Sequence, residues 1–333
     1  MSTEITSKDI RDTKSRIFFI VGTSRSGSTL LQSMLSVHSD VVVPPETHFF
    51  HFVNSIQKKY RKAVEKRDFS RMLIDFWYDH KTRIRDLGFS KEQVLELAER
   101  EKITDPVGLF NLQLTMYRKE REKEIIGEKT PRHILNTDEI LEAYPEAKII
   151  SMFRDPRAAA NSEIKARFGS PSVIVTTRRW RSYVEKHERL KAGLPENQYM
   201  MLRYSDLIED TEGVLNKICS FLGVSFEKQM LEYYKRDEEG FAKGEKSWKK
   251  GTLKPIQKDK NEEWKFALKK WQVSLIEDIA GEYLNKMGYQ SKGDSLPFIK
   301  KLFYQCVDFS KSIWATLSNE RDEGYKDSKT FKF

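Results

Sequence analysis

Residues 18–31 read Phe18-Phe19-Ile20-Val21-Gly22-Thr23-Ser24-Arg25-Ser26-Gly27-Ser28-Thr29-Leu30-Leu31. A continuous apolar run, a glycine-bounded loop and an apolar-faced segment predict a buried strand, a tight loop and a helix start. That order aims backbone N–H groups and a helix N-terminus at one point, which suits an anion. The glycine spacing is that of a phosphate loop, but Ser28 stands where the phosphate-gripping lysine belongs. The cation lies inside the loop instead, as Arg25. Thr23, Ser24, Ser26, Ser28 and Thr29 add hydroxyls that a turn serving only the core would not need, and hydroxyls, amides and one guanidinium suit a tetrahedral oxyanion. The loop is therefore expected to hold a phosphate-like group other than a Mg-nucleoside triphosphate.

Outward from this loop, apolar strand-like runs alternate with helical text. Strands are expected over Ile17–Val21 and Val41–Val43, at Ile125-Ile126, and over Lys148–Phe153 and Gln198–Leu202. Helices are expected over Ser28–His38, from the Asp210 cap to Leu222 with Gly223 closing it, and over Trp264–Met287. This alternation predicts an α/β fold: a P-loop-like parallel sheet flanked by helices. Pro44-Pro45 stops the second strand, and residues of about 52–123 form a charged helical insertion, expected to be a lid or acceptor-binding subdomain. Residues 1–16 are expected to be a flexible arm, 17–289 the main domain, and 290–333 a C-terminal helix and tail. In that last segment Ile299, Leu302, Phe303, Cys306, Ile313 and Leu317 form an apolar stripe. Packing on the core is its expected use; a membrane surface or a homodimer contact is the alternative.

The chain has 333 residues, 38% apolar and 33% charged, with a net charge of +9. Its lysines and arginines are spread among 50 acidic residues, which argues against nucleic acid and leaves an anionic ligand or plain solubility. The apolar runs are too short to span a bilayer, and Met1–Arg16 has no apolar signal core, so a cytoplasmic protein with Cys219 and Cys306 reduced is expected.

A second anion site is read from Arg154-Asp155-Pro156-Arg157-Ala158-Ala159-Ala160-Asn161-Ser162. Asp155 and Pro156 open a helix as N-cap and N1. Arg154 then sits at a strand's carboxyl end, where ligands of open α/β sheets bind. Asp155 at the end of an apolar run also fits a Walker-B acid, but Arg154 and Pro156 flank it and the first loop lacks its lysine, so a structural cap is favoured.

Together the two motifs resemble the sulfotransferases that use 3′-phosphoadenosine-5′-phosphosulfate (PAPS), in style nearest the tyrosylprotein and carbohydrate-type branch. The resemblance spans roughly Ile17 to Tyr289. It implies that Thr23 to Leu30 hold the 5′-phosphosulfate and that Arg154 and Ser162 hold the 3′-phosphate. Arg203-Tyr204-Ser205-Asp206-Leu207 is similar to an element whose tyrosine lies near the adenine, and Lys249-Lys250-Gly251 to a loop that closes on the 3′-phosphate. Glu128-Lys129-Thr130-Pro131 resembles an element whose lysine stabilises charge on the sulfonyl and bridging oxygens. Glu46, after the second strand, matches the place of the general base in the tyrosylprotein branch, with His48, His51 and His133 as rivals.

The resemblance implies an enzyme that moves a sulfuryl group from PAPS to a hydroxyl or amine, releases 3′,5′-bisphosphate (PAP) and needs no metal. The expected acceptor is a small molecule, with a protein tyrosine or a glycan as the alternative. The insertion is expected to carry most acceptor contacts: its basic residues fit an acidic peptide or glycan, and its aromatics Phe49, Phe50, Phe52, Trp77 and Tyr78 fit a phenol, a lipid or a ring-containing metabolite. A nucleotide kinase of related fold and a non-catalytic PAP-binding module are the rival readings.

Overall fold

The computed structural model describes residues 5–51, 53, 69–79, 83–166, 169–235, 254–293 and 296–317. Its centre is one parallel sheet of β1 (Ile17–Gly22), β2 (Val41–Val42), β3 (Ile125–Lys129), β4 (Lys148–Phe153) and β5 (Tyr199–Arg203), in the order β2-β3-β1-β4-β5. Register decides what this sheet presents. Ile20 lies beside Lys129, Gly22 beside Met152, and Phe153 beside Arg203. The phosphate-type loop, Lys129, Arg154 and Tyr204 therefore all emerge at one carboxyl edge, on both sides of central β1.

The period-two alternation of β1 sorts its side chains between two apolar layers. Phe18 and Ile20 join Ile150, Met152, α2 (Ser28–Leu35) and α10 (Thr211–Leu222). Phe19 and Val21 join Ile149, Phe153, Trp180 and the helices of residues 69–120. Both faces are covered, which is why the strands read as unbroken apolar runs.

Three expectations are corrected. The arm expected over residues 1–16 contains α1 (Ser7–Ser15), whose N-cap Thr6 exchanges hydrogen bonds with Asp9. Its Thr13 is fully buried and meets Thr115 and Arg118 of α5 (Pro106–Glu120), while Lys119 pairs with Asp9. The described part of the helical insertion is a layer of the main core rather than a separate lid. Leu109, Phe110, Leu112 and Leu114 of α5 share one cluster with Phe19 and Val21, as do Leu73, Ile74 and Trp77 of α3 (Phe69–Asp79) and Val94 and Ala98 of α4 (Lys91–Arg100). The long helix expected over Trp264–Met287 is three pieces: α11 (Trp264–Ala267), α12 (Lys270–Ala280) and α13 (Glu282–Lys286). It breaks where Leu268 turns extended and where Gly281 adopts φ +56°, ψ −138°, a conformation closed to most other residues.

Among the remaining elements, α6 (Thr137–Ala143) precedes β4, and α7 (Pro156–Lys165) and α8 (Val173–Gly193) follow it. The short α9 (Tyr204–Glu209) follows β5, and α14 (Phe298–Leu317) ends the described chain. Asp210 and Gly223 cap α10 as expected, Asp210 accepting from the Gly213 amide and Gly223 at φ +84°. Cys219 is buried and Cys306 exposed, and they are not joined. No described helix is long and apolar enough to cross a membrane.

Candidate functional site

The loop after β1 is shaped by two backbone contacts. A Cβ on Gly22 would lie 2.0 Å from the Met152 carbonyl oxygen, and one on Gly27 would lie 2.3 Å from the Tyr204 ring. Only glycine fits either place, so the spacing that suggested a phosphate loop is enforced by neighbouring strand β4 and by Tyr204. Gly22 at φ +132°, Arg25 at φ +65° and Gly27 at φ +88° curl the loop ahead of the α2 N-terminus, where the helix's first backbone N–H groups gather. Thr23 Oγ1 and Ser26 Oγ are buried and find no hydrogen-bond partner among the described residues. Ser28 is also buried, while Ser24 and Thr29 are half-buried. A buried unpaired hydroxyl costs about 1–3 kcal/mol. Two of them in a ring of amides fit a tetrahedral anion, whose oxygens would accept from both.

Arg25 is the hinge between the two motifs. Its Nε donates to Ser162 Oγ at 3.0 Å, and its carbonyl accepts from Arg154 Nη1 at 3.4 Å. Burial pushes its pKa down, against the opposing charges of Glu163 and Glu46. Arg154 is almost fully buried; its Nε donates to Asn261 at 3.1 Å, its Nη2 to the Lys260 carbonyl at 2.9 Å, and its guanidinium lies 4.5 Å from the Tyr204 ring centroid. The structure thus brings Arg25, Arg154, Ser162 and Tyr204 together. Asn261 carried no sequence signal; it reaches Arg154 from 107 residues away. Lys249, Lys250 and Gly251 lie outside the described residues.

Asp155 is the structural cap that was favoured. Its carboxylate accepts from the Arg157 amide at 2.8 Å and pairs with the Arg157 guanidinium, which also reaches Glu277 at 2.6 Å.

Across β1, Lys129 ends β3 with its side chain fully buried. Its Nζ pairs with Glu46 and lies 3.5 Å from Thr29 Oγ1 at the start of α2. The other Glu46 oxygen is 3.3 Å from His48 Nε2. Carboxylate, ammonium and imidazole thus sit beside the loop, and the Glu46 and His48 side chains are 19% and 26% exposed, open enough to meet a substrate. His48 has φ +54°. Of the four described non-glycine residues with positive φ, Lys102 and Glu122 simply follow the ends of α4 and α5, while Arg25 and His48 sit here. Left-handed strain of this kind collects where the surroundings over-determine a backbone.

A buried network sets the Glu46 loop. Glu128 accepts from Thr47 Oγ1 at 2.8 Å, Thr130 Oγ1 at 2.7 Å and His133 Nδ1 at 2.9 Å. Thr130 Oγ1 in turn accepts from the His48 amide at 3.3 Å, and His133 Nε2 from the Phe50 amide at 3.2 Å. Burial disfavours the Glu128 charge, yet His133 and the hydroxyl donors outweigh it and hold the carboxyl below its ordinary range. Both nitrogens of His133 are occupied and its ring is fully buried, so it cannot serve a substrate. Burial, with Arg132, His48 and His133 nearby, pushes His51 down to about 4, which makes it a weak base.

The aromatics expected to face an acceptor are a correction. Phe49, Phe50 and Trp77 are buried, and Phe49 stacks on Phe110 at 4.1 Å between ring centroids. They are core, Tyr78 is half-buried, and the Phe52 side chain lies outside the described residues.

A glycine-bounded loop on the central strand of a parallel sheet, with cations converging on it, defines a phosphate-loop type of α/β protein. Residues 18–228 match the sequence profile described as the sulfotransferase family, more than half of the chain. The chain belongs to the sulfotransferase family. It is 21% identical over 300 residues to protein-tyrosine sulfotransferase A of Caenorhabditis elegans, covering 86% of this chain and 70% of that protein. It is 24% identical over 223 residues to the protein-tyrosine sulfotransferase of Drosophila melanogaster, covering 65% of this chain but only 40% of that protein. Among solved structures, the sulfotransferase domain of the Synechococcus PCC 7002 olefin synthase matches with a TM-score of 0.55 and 25% identity, over 80% of this chain and 94% of that one. The sulfotransferase domain from the curacin biosynthetic pathway shares the fold, with a TM-score of 0.57 and 20% identity over 82% of this chain and 97% of that one.

Proposed function

We propose that this chain transfers the sulfuryl group of PAPS to a hydroxyl acceptor and releases PAP. The observation that carries the reading is Glu46, held against buried Lys129 beside a loop with two unpaired hydroxyls. Glu46 takes the acceptor proton. The acceptor oxygen then forms its bond to sulfur as the bond from sulfur to the phosphate oxygen breaks, and that electron pair leaves with PAP. Lys129, between the carboxylate and Thr29, neutralises charge on the sulfonyl group, and Arg25 with the loop amides does so on the departing phosphate. These groups supply the positive charge without a metal. His48 orients Glu46. Arg154 and Ser162, with Lys249, Lys250 and Gly251, take the 3′-phosphate, which exchanges for the Asn261 and Lys260 contacts of Arg154. Tyr204, stacked beside Arg154 and Gly27, offers its ring to the adenine.

The acceptor proposed is a small-molecule hydroxyl, supported by the likeness, 30% identity over 133 residues, to the omega-hydroxy-beta-dihydromenaquinone-9 sulfotransferase of Mycobacterium bovis. A tyrosyl peptide is the second reading, supported by the fly and worm relatives. Incubation with radiolabelled PAPS and a panel of alcohols, phenols and tyrosyl peptides, in EDTA, tests both. Label is expected on one of these classes, and which one separates the two readings. Retention on PAP-agarose without transfer to any acceptor would leave a PAP-binding module. Retention on ATP-agarose alone would point to a kinase.

A further inference from the structure

The helix α14 docks with the opposite side to the one its sequence suggests. Its inward side is polar and aromatic: Lys301 pairs with Asp278 at 2.9 Å, Tyr304 stacks on Trp271 at 4.9 Å, and Lys311 lies 5.1 Å from the same ring. Asp308 is fully buried, accepting from the amides of Val173 and Ile174 at the N-terminus of α8 and from Ser172 Oγ. These contacts fix the helix's rotation. They turn outward Phe298, Ile299, Leu302, Phe303 and Phe309, each more than half exposed, together with Cys306. The stripe expected to pack on the core therefore faces away from it; the side chains of Ile313 and Leu317 lie outside the described residues.

We propose that this outward face docks on an anionic lipid surface, the helix lying flat in the interface. Charge is the first argument. The helix sequence holds three lysines and one acid, and that acid, Asp308, is buried. Among the described residues, the exposed side thus carries aromatic and aliphatic groups with exposed Lys300 near them, exposed Lys292 just upstream and no carboxylate from α14 itself, the composition of an interfacial helix. Area is the second argument. A stable protein interface takes roughly 20–30 residues from each partner. The described side chains of the α14 face are the six named above, few beside that figure but sufficient for a narrow strip sunk among lipid headgroups.

The test is co-sedimentation of the full chain with vesicles of phosphatidylcholine plus phosphatidylserine, and with vesicles of phosphatidylcholine alone. Binding to the anionic vesicles is expected, weakened by salt and by Lys300→Glu. The double substitution Leu302→Asp with Phe303→Asp should reduce the bound fraction roughly tenfold or more; Phe303→Ser alone should reduce it in the same direction. These side chains are exposed, so thermal midpoints should not move. No sedimentation with anionic vesicles would overturn the proposal, including the case in which residues 318–333 cover the face. So would equal sedimentation of the double variant. A concentration-dependent dimer that the double variant splits, without vesicle binding, would assign the face to a second copy of the chain.

Discussion

Glu46 and Glu128 are two glutamates tied to neighbouring stretches of chain, each with a histidine beside it, and they are opposites. Glu128 is fully buried and accepts from two threonine hydroxyls and an imidazole. Glu46 is 19% exposed and meets a lysine and an imidazole. A fully buried carboxylate held by three donors is a fixture, whereas a partly exposed one with a buried cation beside it can exchange a proton. The lesson is that the saturated pair positions the open one: Glu128 holds Thr47 and Thr130, whose hydroxyl in turn fixes the His48 backbone.

Four experiments break or sharpen that contrast. Glu46→Ala should lower turnover by about 10²–10⁴-fold, the range for a lost general base, with PAP retention and thermal midpoint unchanged. Retained turnover would place the base elsewhere and end the comparison. Glu128→Ala should act on stability instead, costing about 3–5 kcal/mol in urea unfolding because Thr47, Thr130 and His133 lose their buried acceptor, at about 1–3 kcal/mol each before relaxation. Since the folded Glu128 pKa is depressed, its contribution is present above the ordinary carboxyl range and lost as pH falls through the folded value. A Glu128→Ala protein as stable as the parent would show the network to be idle.

His187 sharpens the contrast from the histidine side. Its Nδ1 meets the Tyr199 hydroxyl and its Nε2 lies 3.5 Å from the half-exposed Glu188, yet burial outweighs that carboxylate and pushes it down to about 4. The unfolded chain binds that proton first, so stability should fall by about 2–3 kcal/mol as pH drops from about 6.5 towards 4. His187→Gln should flatten that part of the curve; an unchanged slope would assign the loss to other groups. The smallest effect is expected from Thr23→Val. Removing a buried unpaired hydroxyl relieves its desolvation cost, so unfolding resistance should be kept or raised by up to about 1–3 kcal/mol, while PAP affinity drops by about 0.5–1.5 kcal/mol in titration calorimetry. Loss of stability would class Thr23 with Glu128 instead.

Much of this was legible in the sequence because it is local. The apolar runs of β1 and β4 and the Gly22–Gly27 spacing each fall within a dozen residues, and the parallel alternation follows from them. Even α1 had a readable signal, the Thr6-to-Asp9 capping pair, but its polar composition masked it. What was not legible is long-range. The Asn261 contact to Arg154 crosses 107 residues. Phe49, Phe50 and Trp77 read equally well as an acceptor wall or as core, and only the position of α5 decides for core. The stripe of α14 was visible; its rotation depends on Asp308 finding the end of α8.

That last contact has a consequence in time. Asp308 reaches back 135 residues to the Val173 amide, and a ribosome adds roughly 5–20 residues per second. The first turn of α8 is thus made several seconds before its carboxylate exists, with Ser172, which accepts from the Val175 amide, as its interim cap. Trp180 of the same helix holds the Arg154 carbonyl at 2.9 Å. The loop at the head of the sheet is therefore synthesised well before Asp308, and the helix that braces its partner strand gains this contact only when that residue follows.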